Sequence, residues 1–179
     1  MAEVAVVTLS PEEVAEAASL AEAALAYWQS TGRRGHYSNN FNSHFVGKLG
    51  ELAVEAWVQS LGTWVASPFR DVRVLDTEDI TAAKRLEVKS WDEPGWAAWG
   101  RCVRPNQVDA LAAKADAIVW CSVDGAKEQP GTVPVSVTIH GWSTVDYVRA
   151  CPITLTGPGY RRLENHQIDV GDMRSLDEL

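Results

Sequence analysis

A glutamate and a lysine stand two residues apart in the stretch KRLEVKSW, residues 84–91, which otherwise has the character of a buried strand. Residues two apart in a strand share a face, so Glu87 and Lys89 point one way while Leu86 and Val88 point the other. A solvated hairpin could carry such a pair for solubility alone. A catalytic sheet could carry it too, with a polar face that holds a metal ion and a nucleophile.

Aspartates upstream of this stretch offer a second carboxylate. Asp79 begins a short predicted strand, and a tight hairpin between the two strands would bring it towards Glu87. Two acidic side chains on adjacent strands could then converge on one cation. Asp71 and Asp76 are alternatives for the same position, and the sequence leaves the choice among the three aspartates open.

A helix before these strands supplies a further acid. Residues 50–62, GELAVEAWVQSLG, have helical periodicity and end at a glycine. Glu51 and Glu55 are four residues apart and share one face of that helix, so one of them can reach a site while the other faces solvent. We favour Glu51, because Gly47 and Gly50 would let another backbone approach that turn.

The remaining elements alternate between helix and strand. A capping box at Ser10 and Glu13 predicts a helix to Gln29, and the polar residues 32–50 predict a loop. Strand character follows in 64–75, 116–123 and 134–142, and helices are expected at 105–115 and from Ser143. The tryptophan-rich segment DEPGWAAWGR and the C-terminal tail are expected to be loops. Trp28, Trp57, Trp64, Trp120 and Trp142 are expected in the core.

This order predicts an α/β (α+β) fold with a mixed central β-sheet flanked by helices and an N-terminal helix. The length of 179 residues suits one domain over residues 1–179. Within it we distinguish an N-terminal helical extension (1–31), a core (45–125) and a C-terminal strand, helix and tail (126–179).

Four features occur in a fixed order along the core. Glu51 lies on a helix, Asp79 at a short strand, Glu87-x-Lys89 on the next strand, and Gln107 on a helix that leads into a further strand. Over residues 45–125, from VGKLGELAVEAW through EDITAAKRLEVKSW to NQVDALAAKADAIVWC, this order resembles the PD-(D/E)XK nuclease superfamily. The resemblance implies the restriction-endonuclease-like fold and a metal-dependent endonuclease that acts on DNA.

The resemblance also implies roles for individual residues. Mg²⁺ or Mn²⁺ prefers oxygen ligands and would activate water and offset charge on a phosphate. By the family pattern its ligands are the side chains of Asp79, Glu87 and Glu51 and the backbone carbonyl of Val88. Lys89 would orient or help to deprotonate the water, or stabilise the developing charge. The remaining polar residue, Gln107, would touch the site or the scissile strand.

Candidate nucleic-acid contacts lie in two segments. The acid-free residues 32–50 combine positive charge with neutral hydrogen-bonding groups, and the tryptophan-rich segment is followed by two arginines. The predicted contact residues are Arg33, Arg34, Asn40, Lys48, Arg101 and Arg104. The alternative hypothesis is a module of the same fold without catalysis, which binds nucleic acid or serves in assembly. Homodimerisation is compatible with either.

Composition excludes several other classes. The net charge is −8, but acidic residues crowd 1–30 and 164–179, which leaves 31–163 at about +1. No apolar run is long enough for a bilayer, and the acidic N-terminus does not resemble a secretory signal, so we expect a cytoplasmic protein without a membrane partner. The three cysteines lack the spacing of a zinc site and are expected to be reduced and buried. Neither GxSxG nor a P-loop occurs.

Overall fold

The elements of the fold follow from a computed structural model that describes residues 4–32, 40–74, 77–125, 133–157, 159–160 and 162–179. The helices in these ranges are α1 (Pro11–Ser30), α2 (Phe41–Ser60), α3 (Glu93–Ala98), α4 (Pro105–Lys114) and α5 (Val145–Ala150). The strands are β1 (Ala5–Leu9), β2 (Ile80–Thr81), β3 (Arg85–Asp92), β4 (Cys102–Val103), β5 (Ala117–Asp124), β6 (Val135–Ser143), β7 (Ile153–Thr156) and β8 (Leu163–Gln167).

Five strands form the central sheet in the order β1-β6-β5-β3-β2. Strands β3 and β5 are parallel, because the chain crosses over through α3, β4 and α4 between them, and the other neighbours are antiparallel. Strands β4, β8 and β7 form a second, three-stranded sheet. The predicted α+β fold with a mixed central sheet, flanking helices and an N-terminal helix is therefore confirmed.

The core lies on both faces of the central sheet. On one face α2 packs Leu49, Ala53 and its other apolar residues against Leu86 and Val88 of β3. On the opposite face α4 and α5 pack against Trp120 and the neighbouring residues of β5. Because both faces are covered, every residue of β5 except the last is buried, as expected for a central strand.

The N-terminal residues contribute a strand as well as the predicted helix. The capping box is confirmed: the Ser10 backbone N–H donates to Glu13 at 2.7 Å, and Ser10 Oγ accepts from the Glu13 backbone N–H at 3.3 Å. Before the helix, β1 pairs with β6 from Ala5 to Leu9 and forms one edge of the central sheet. A five-residue strand of this kind gives too short an alternation to be recognised in the sequence.

The prediction of a loop over residues 32–50 was wrong for its second half, because α2 begins at Phe41. Asn40 caps the helix: its side-chain oxygen accepts a hydrogen bond from the Ser43 backbone N–H at 2.9 Å. Phe45, Val46 and Leu49 then bury one helical face. The asparagines and serines that indicated a loop are a helix start.

Three other local predictions were also wrong. In place of the strand predicted over residues 64–75, the described residues 64–74 contain a 3-10 helix (Pro68–Arg70) and a bridge between Ala66 and Thr81. The tryptophan-rich segment contains α3, which Asp92 caps through the Gly95 N–H at 3.0 Å. The C-terminal tail holds β7 and β8.

The predictions of buried residues are confirmed for the cysteines and for some of the tryptophans. Trp120 and Trp142 are buried as predicted, whereas the Trp64 side chain is 72% exposed. Trp28 and Trp57 are partly buried. All three cysteines are buried and none of them forms a disulfide, as predicted. No helix in the described ranges combines the length and the apolarity that crossing a bilayer requires.

Candidate active site

The site forms beside the first residue of β2, beyond which this edge of β3 has no strand neighbour among the described residues. Asp79 takes the place of that neighbour: its backbone N–H donates to the Leu86 carbonyl at 2.9 Å, and its Oδ2 accepts from the Val88 N–H at 2.7 Å. The N–H and C=O of one residue point to the same edge of a strand. The Val88 carbonyl therefore shares the edge of β3 at which the Asp79 carboxylate is fixed.

Glu87 and Lys89 share one face of β3, as predicted. Lys89 Nζ lies 2.6 Å from Glu87 Oε1, and the Glu87 side chain is only 5% exposed. Leu86 and Val88 point into the core on the opposite face. The pair is thus a buried ion pair at the wall of a cleft, and the solvated hairpin is excluded.

A second lysine approaches the same glutamate from α4. Lys114 Nζ lies 2.5 Å from Glu87 Oε2. Each oxygen of this buried carboxylate therefore faces an ammonium group, Oε1 that of Lys89 and Oε2 that of Lys114. Glu87 thus has two positive partners for one negative charge.

The two glutamates of α2 have separate surroundings. Glu51 points into the cleft and pairs with Lys48 at 2.6 Å, while Lys48 also donates to the Phe69 carbonyl at 3.0 Å. Glu55 points away from the cleft and is buried against Arg70 and Ser67, which both donate to it. The choice of Glu51 over Glu55 agrees with this geometry.

Gly50 allows α2 to pass close to β3. A Cβ at this position would lie 1.8 Å from Ser90 Oγ and 2.9 Å from Ser90 Cβ, so only glycine fits without a shift. No such neighbour surrounds Gly47, where a Cβ would have open space within 4 Å. One of the two predicted glycine contacts therefore exists, and it sets the distance of the adjoining Glu51 from β3.

These side chains line one cleft of about 390 Å³. All five predicted catalytic residues lie on its wall: Glu51, Asp79, Glu87, Lys89 and Gln107. Lys48 and Lys114 lie among them, and Ala24 and Trp28 of α1 contribute to the lining. The topology thus brings together residues from α2, β3, α4 and the residue that precedes β2.

Burial raises the pKa of two acids of the cleft, Asp79 and Glu51. Burial, followed by the charges of Glu87 and Glu51, holds the pKa of Asp79 well above its ordinary value. Burial also raises the pKa of Glu51, although its pairing with Lys48 opposes that shift. Both carboxylates carry a free-energy cost when ionised, which an additional positive charge would relieve.

The ion pairs of Glu87 act in the opposite direction. Burial would raise the pKa of Glu87, but the charges of Lys89 and Lys114 outweigh burial and lower it. Burial would likewise lower the pKa of Lys89, yet the surrounding carboxylates, Glu87 first, raise it. At neutral pH this pair is therefore a carboxylate and an ammonium.

Of the three candidate aspartates, Asp79 reaches the cluster. Asp71 lies at the cleft lining but is bonded at 2.8 Å to Arg73, and hydrogen bonds from that arginine lower the pKa of Asp71 to about 2. Asp76 lies outside the described residues. Between the two described aspartates, the structure therefore favours Asp79 over Asp71.

The predicted nucleic-acid contacts are scattered. Asn40 is exposed and caps α2, and Lys48 lines the cleft in its pair with Glu51. Arg101 bonds the carbonyls of Trp96 at 2.7 Å and Ile168 at 3.3 Å, away from the described lining of the cleft. Arg104 precedes α4 and is likewise outside that lining. Arg33 and Arg34 lie outside the described residues.

Sequence reasoning missed Lys114 and Trp28 among the residues of the cleft. Lys114 follows Gln107 by seven residues on α4, close to two full turns, so both occupy one helical face, and this spacing could have identified the lysine. Trp28 was assigned to the core, but it contributes to the cleft lining and meets the His44 ring edge-on at 5.4 Å between centroids.

As the side chains lie here, no three His, Cys, Asp or Glu residues in the described ranges are grouped so that they could hold a metal ion. No protein-family model, curated protein or solved structure matches the chain. The function is therefore inferred from the geometry and charge of the cleft, with the resemblance over residues 45–125 as a hypothesis beside it.

Proposed function

We propose that this chain is a metal-dependent nuclease that hydrolyses phosphodiester bonds, with DNA as the favoured substrate. The observation that carries the proposal is the convergence of Glu51, Asp79 and Glu87 with Lys89 in one cleft. The elements that bring them there occur in the order expected for the PD-(D/E)XK superfamily.

The donor set of the cleft has the chemistry that a hard divalent cation prefers. Three carboxylates and the Val88 carbonyl offer only oxygen, which suits Mg²⁺ and Mn²⁺. As the side chains lie here, Glu51 and Glu87 are paired with lysines and the described acids are not grouped around one point, so binding would require an exchange of partners. Burial and its acidic neighbours raise the pKa of Asp79, so an added positive charge would be favourable there. When bound, the cation would supply an activated water and offset the charge of the phosphate.

Three groups of the protein would act beside the cation: the Lys89 side chain, the Val88 N–H and the Gln107 side chain. Lys89 is fixed beside Glu87 and presents an ammonium to the cleft, where it can orient the attacking water or stabilise charge on the phosphate. The hydrogen bond from the Val88 N–H to Asp79 holds that carboxylate in one orientation. Gln107 on the α4 wall can donate to a phosphate or a base without adding charge.

A second candidate function has one observation in its favour. Each acid of the cluster already has a protein partner: Lys48 for Glu51, the Val88 N–H for Asp79, and two lysines for Glu87. A cluster that is neutralised in this way would suit a nucleic-acid-binding or structural module without catalysis. Such a module would bind nucleic acid or assemble, and it would show no turnover with any divalent cation.

A cleavage assay with supercoiled and linear DNA separates the two functions. Wild-type protein should cleave in Mg²⁺ or Mn²⁺ and be inactive in EDTA. Glu87→Gln and Lys89→Met should each lose at least about a hundredfold in rate, since each removes a group required in the transition state. Glu55→Gln, which changes a buried glutamate of α2 outside the cleft, serves as the matched control.

Circular dichroism and thermal unfolding establish that each variant is folded before its rate is compared. Cleavage by both site variants at the wild-type rate would overturn the nuclease. Wild-type protein that binds nucleic acid without turnover in Mg²⁺, Mn²⁺ and Co²⁺ would support the second candidate.

A further inference from the structure

Lys114 holds a distinctive place in the cleft, because it is the second ammonium group that faces Glu87. Its Nζ lies 2.5 Å from Glu87 Oε2 and comes from α4. Lys89 donates a hydrogen bond to Oε1 at 2.6 Å from the same strand as Glu87. Because Lys89 already neutralises the single charge of Glu87, Lys114 can leave this carboxylate without leaving it unpaired.

The position of Lys114 on α4 permits such a movement. It is the last residue of the helix, and its four-carbon side chain is 18% exposed at the cleft wall. A lysine ammonium is a point charge on a flexible stem with three donors, so it can exchange one anionic partner for another. Gln107 lies on the same helical face and also lines the cleft.

The charges of the cleft oppose a polyanion while the lysines stay where they are. Lys48 pairs with Glu51, and both Lys89 and Lys114 pair with Glu87, so every lysine in the described cleft lining already faces a carboxylate. The chain as a whole carries a net charge of −8. Affinity for nucleic acid depends on cations that neutralise phosphates, and here those cations are engaged inside the protein.

We propose that Lys114 is an exchangeable counter-ion, which neutralises Glu87 in the metal-free protein and turns to a phosphate of the nucleic acid once a divalent cation is bound at Glu87. The proposal rests on the proposed nuclease function and deepens it. Lys114 is here a positioning residue that couples cation binding to nucleic-acid binding. When a cation replaces it at Glu87, its ammonium group becomes available to a phosphate.

Coupling of this kind is reciprocal. If divalent cations raise the affinity for nucleic acid by some factor, nucleic acid raises the affinity for the cation by the same factor. Direct contact between a cation and a phosphate would also produce coupling, so coupling in wild-type protein does not by itself identify Lys114. The distinguishing sign is that one substitution moves the two affinities in opposite directions.

Lys114→Met provides that test, because methionine keeps much of the side-chain length and removes the charge. Calorimetry with Mn²⁺ alone should show about tenfold tighter binding than wild type, since the competing ammonium is gone. Fluorescence anisotropy with a labelled duplex oligonucleotide, in Ca²⁺ and under conditions verified to give no cleavage, should show about tenfold weaker binding. In EDTA the oligonucleotide affinity should equal that of wild type.

Two further variants serve as controls. Arg149→Met removes one positive charge from α5, outside the described cleft lining, and should leave both affinities within about twofold of wild type. Lys114→Arg keeps the charge and should restore most of the oligonucleotide affinity in Ca²⁺. Its Mn²⁺ affinity should also remain close to that of wild type. If the methionine variant is unstable, Lys114→Gln replaces it, and the same opposite shifts in the two affinities are expected.

Mn²⁺ binding by Lys114→Met that is no tighter than wild type, or oligonucleotide binding in Ca²⁺ that is no weaker, overturns the exchange. If the wild-type protein cleaves DNA in the same experiments, the proposed function stands and only the role of Lys114 is rejected. Wild-type protein that neither binds Mn²⁺ nor cleaves rejects the nuclease itself, and the exchange with it.

Discussion

Gly50 of α2 faces Ser90 of β3 so closely that a methyl group at position 50 would lie 1.8 Å from the serine oxygen. This contact sets the distance between the helix and the strand that carries Glu87 and Lys89. Gly50→Ala should therefore destabilise the protein by about 1–3 kcal/mol through overpacking, as measured by urea unfolding. It should also reduce metal affinity, because Glu51 is the next residue on the helix.

Gly47 is the matched control, since it lies one turn earlier on α2 and a Cβ there would meet nothing within 4 Å. Gly47→Ala should stabilise the protein by up to about 1 kcal/mol, because alanine favours a helix more than glycine does. Equal free energies of unfolding for the two alanine variants would show that the approach at Gly50 is not tight.

The two glutamates of α2 should respond oppositely to neutralisation. Glu55→Gln weakens the charge-assisted bonds of a buried carboxylate to Arg70 and Ser67 and should cost about 1–3 kcal/mol of stability, while the folded fraction keeps its Mn²⁺ affinity. Glu51→Gln should change stability little, because burial already disfavours that charge. Its Mn²⁺ affinity should fall at least about tenfold in calorimetry. Unchanged Mn²⁺ affinity in Glu51→Gln would remove this residue from the ligand set.

Much of the candidate site was predictable because its central residues are close in sequence. Glu87 and Lys89 share a strand face by alternation alone, and Asp79 reaches them across a short hairpin. Lys114 comes from another helix, and its contact with Glu87 depends on how α4 packs on the sheet, which periodicity does not specify. The resemblance named no residue at that position, so nothing drew attention to it.

Local errors in the fold have a similar cause. Asn40 and the serine after it are typical of both loops and helix starts, and the choice depends on whether Phe45 and the residues around it find a core. Strand β1 is specified by its pairing with β6, a partner about 130 residues away. In both cases the local sequence is compatible with more than one secondary structure, and contacts with residues distant in the chain determine which one forms.

The His140 ring should make stability depend on pH. It stacks on Trp96 at 4.1 Å between centroids and bonds Ser122 at 2.8 Å, and burial, with a smaller effect of Arg101, lowers the pKa of His140 to about 4. The unfolded chain then binds a proton near pH 6.5 that the folded chain does not. This residue's contribution to stability should therefore rise with pH from about 4 to about 6.5.

The comparison with His140→Phe isolates this contribution, because phenylalanine can stack but cannot titrate. The difference in the free energy of unfolding between the two proteins should change by about 1–2 kcal/mol between pH 4 and pH 7, after allowance for partial exposure. Urea unfolding at several pH values measures it. A difference that is constant across this range would mean that His140 titrates normally in the folded protein.

Asp79 accepts a hydrogen bond from Val88 and is also a proposed metal ligand, and two substitutions separate these roles. Asp79→Asn keeps an oxygen that can accept the Val88 N–H and removes a charge that Glu87 and Glu51 repel. It should leave the protein as stable as wild type or more so, yet abolish metal-dependent cleavage. Asp79→Ala leaves that N–H without its partner and should cost about 1–3 kcal/mol as well as activity.

Thermal unfolding and Mn²⁺ calorimetry on both variants would complete the comparison. If the acids of the cleft bind a cation, both variants should lose affinity for Mn²⁺ to a similar degree, although only the alanine variant loses stability. Retention of wild-type cleavage by Asp79→Asn would mean that the carboxylate serves only to hold the edge of β3. In that case the cation, if one binds, would depend on Glu51 and Glu87.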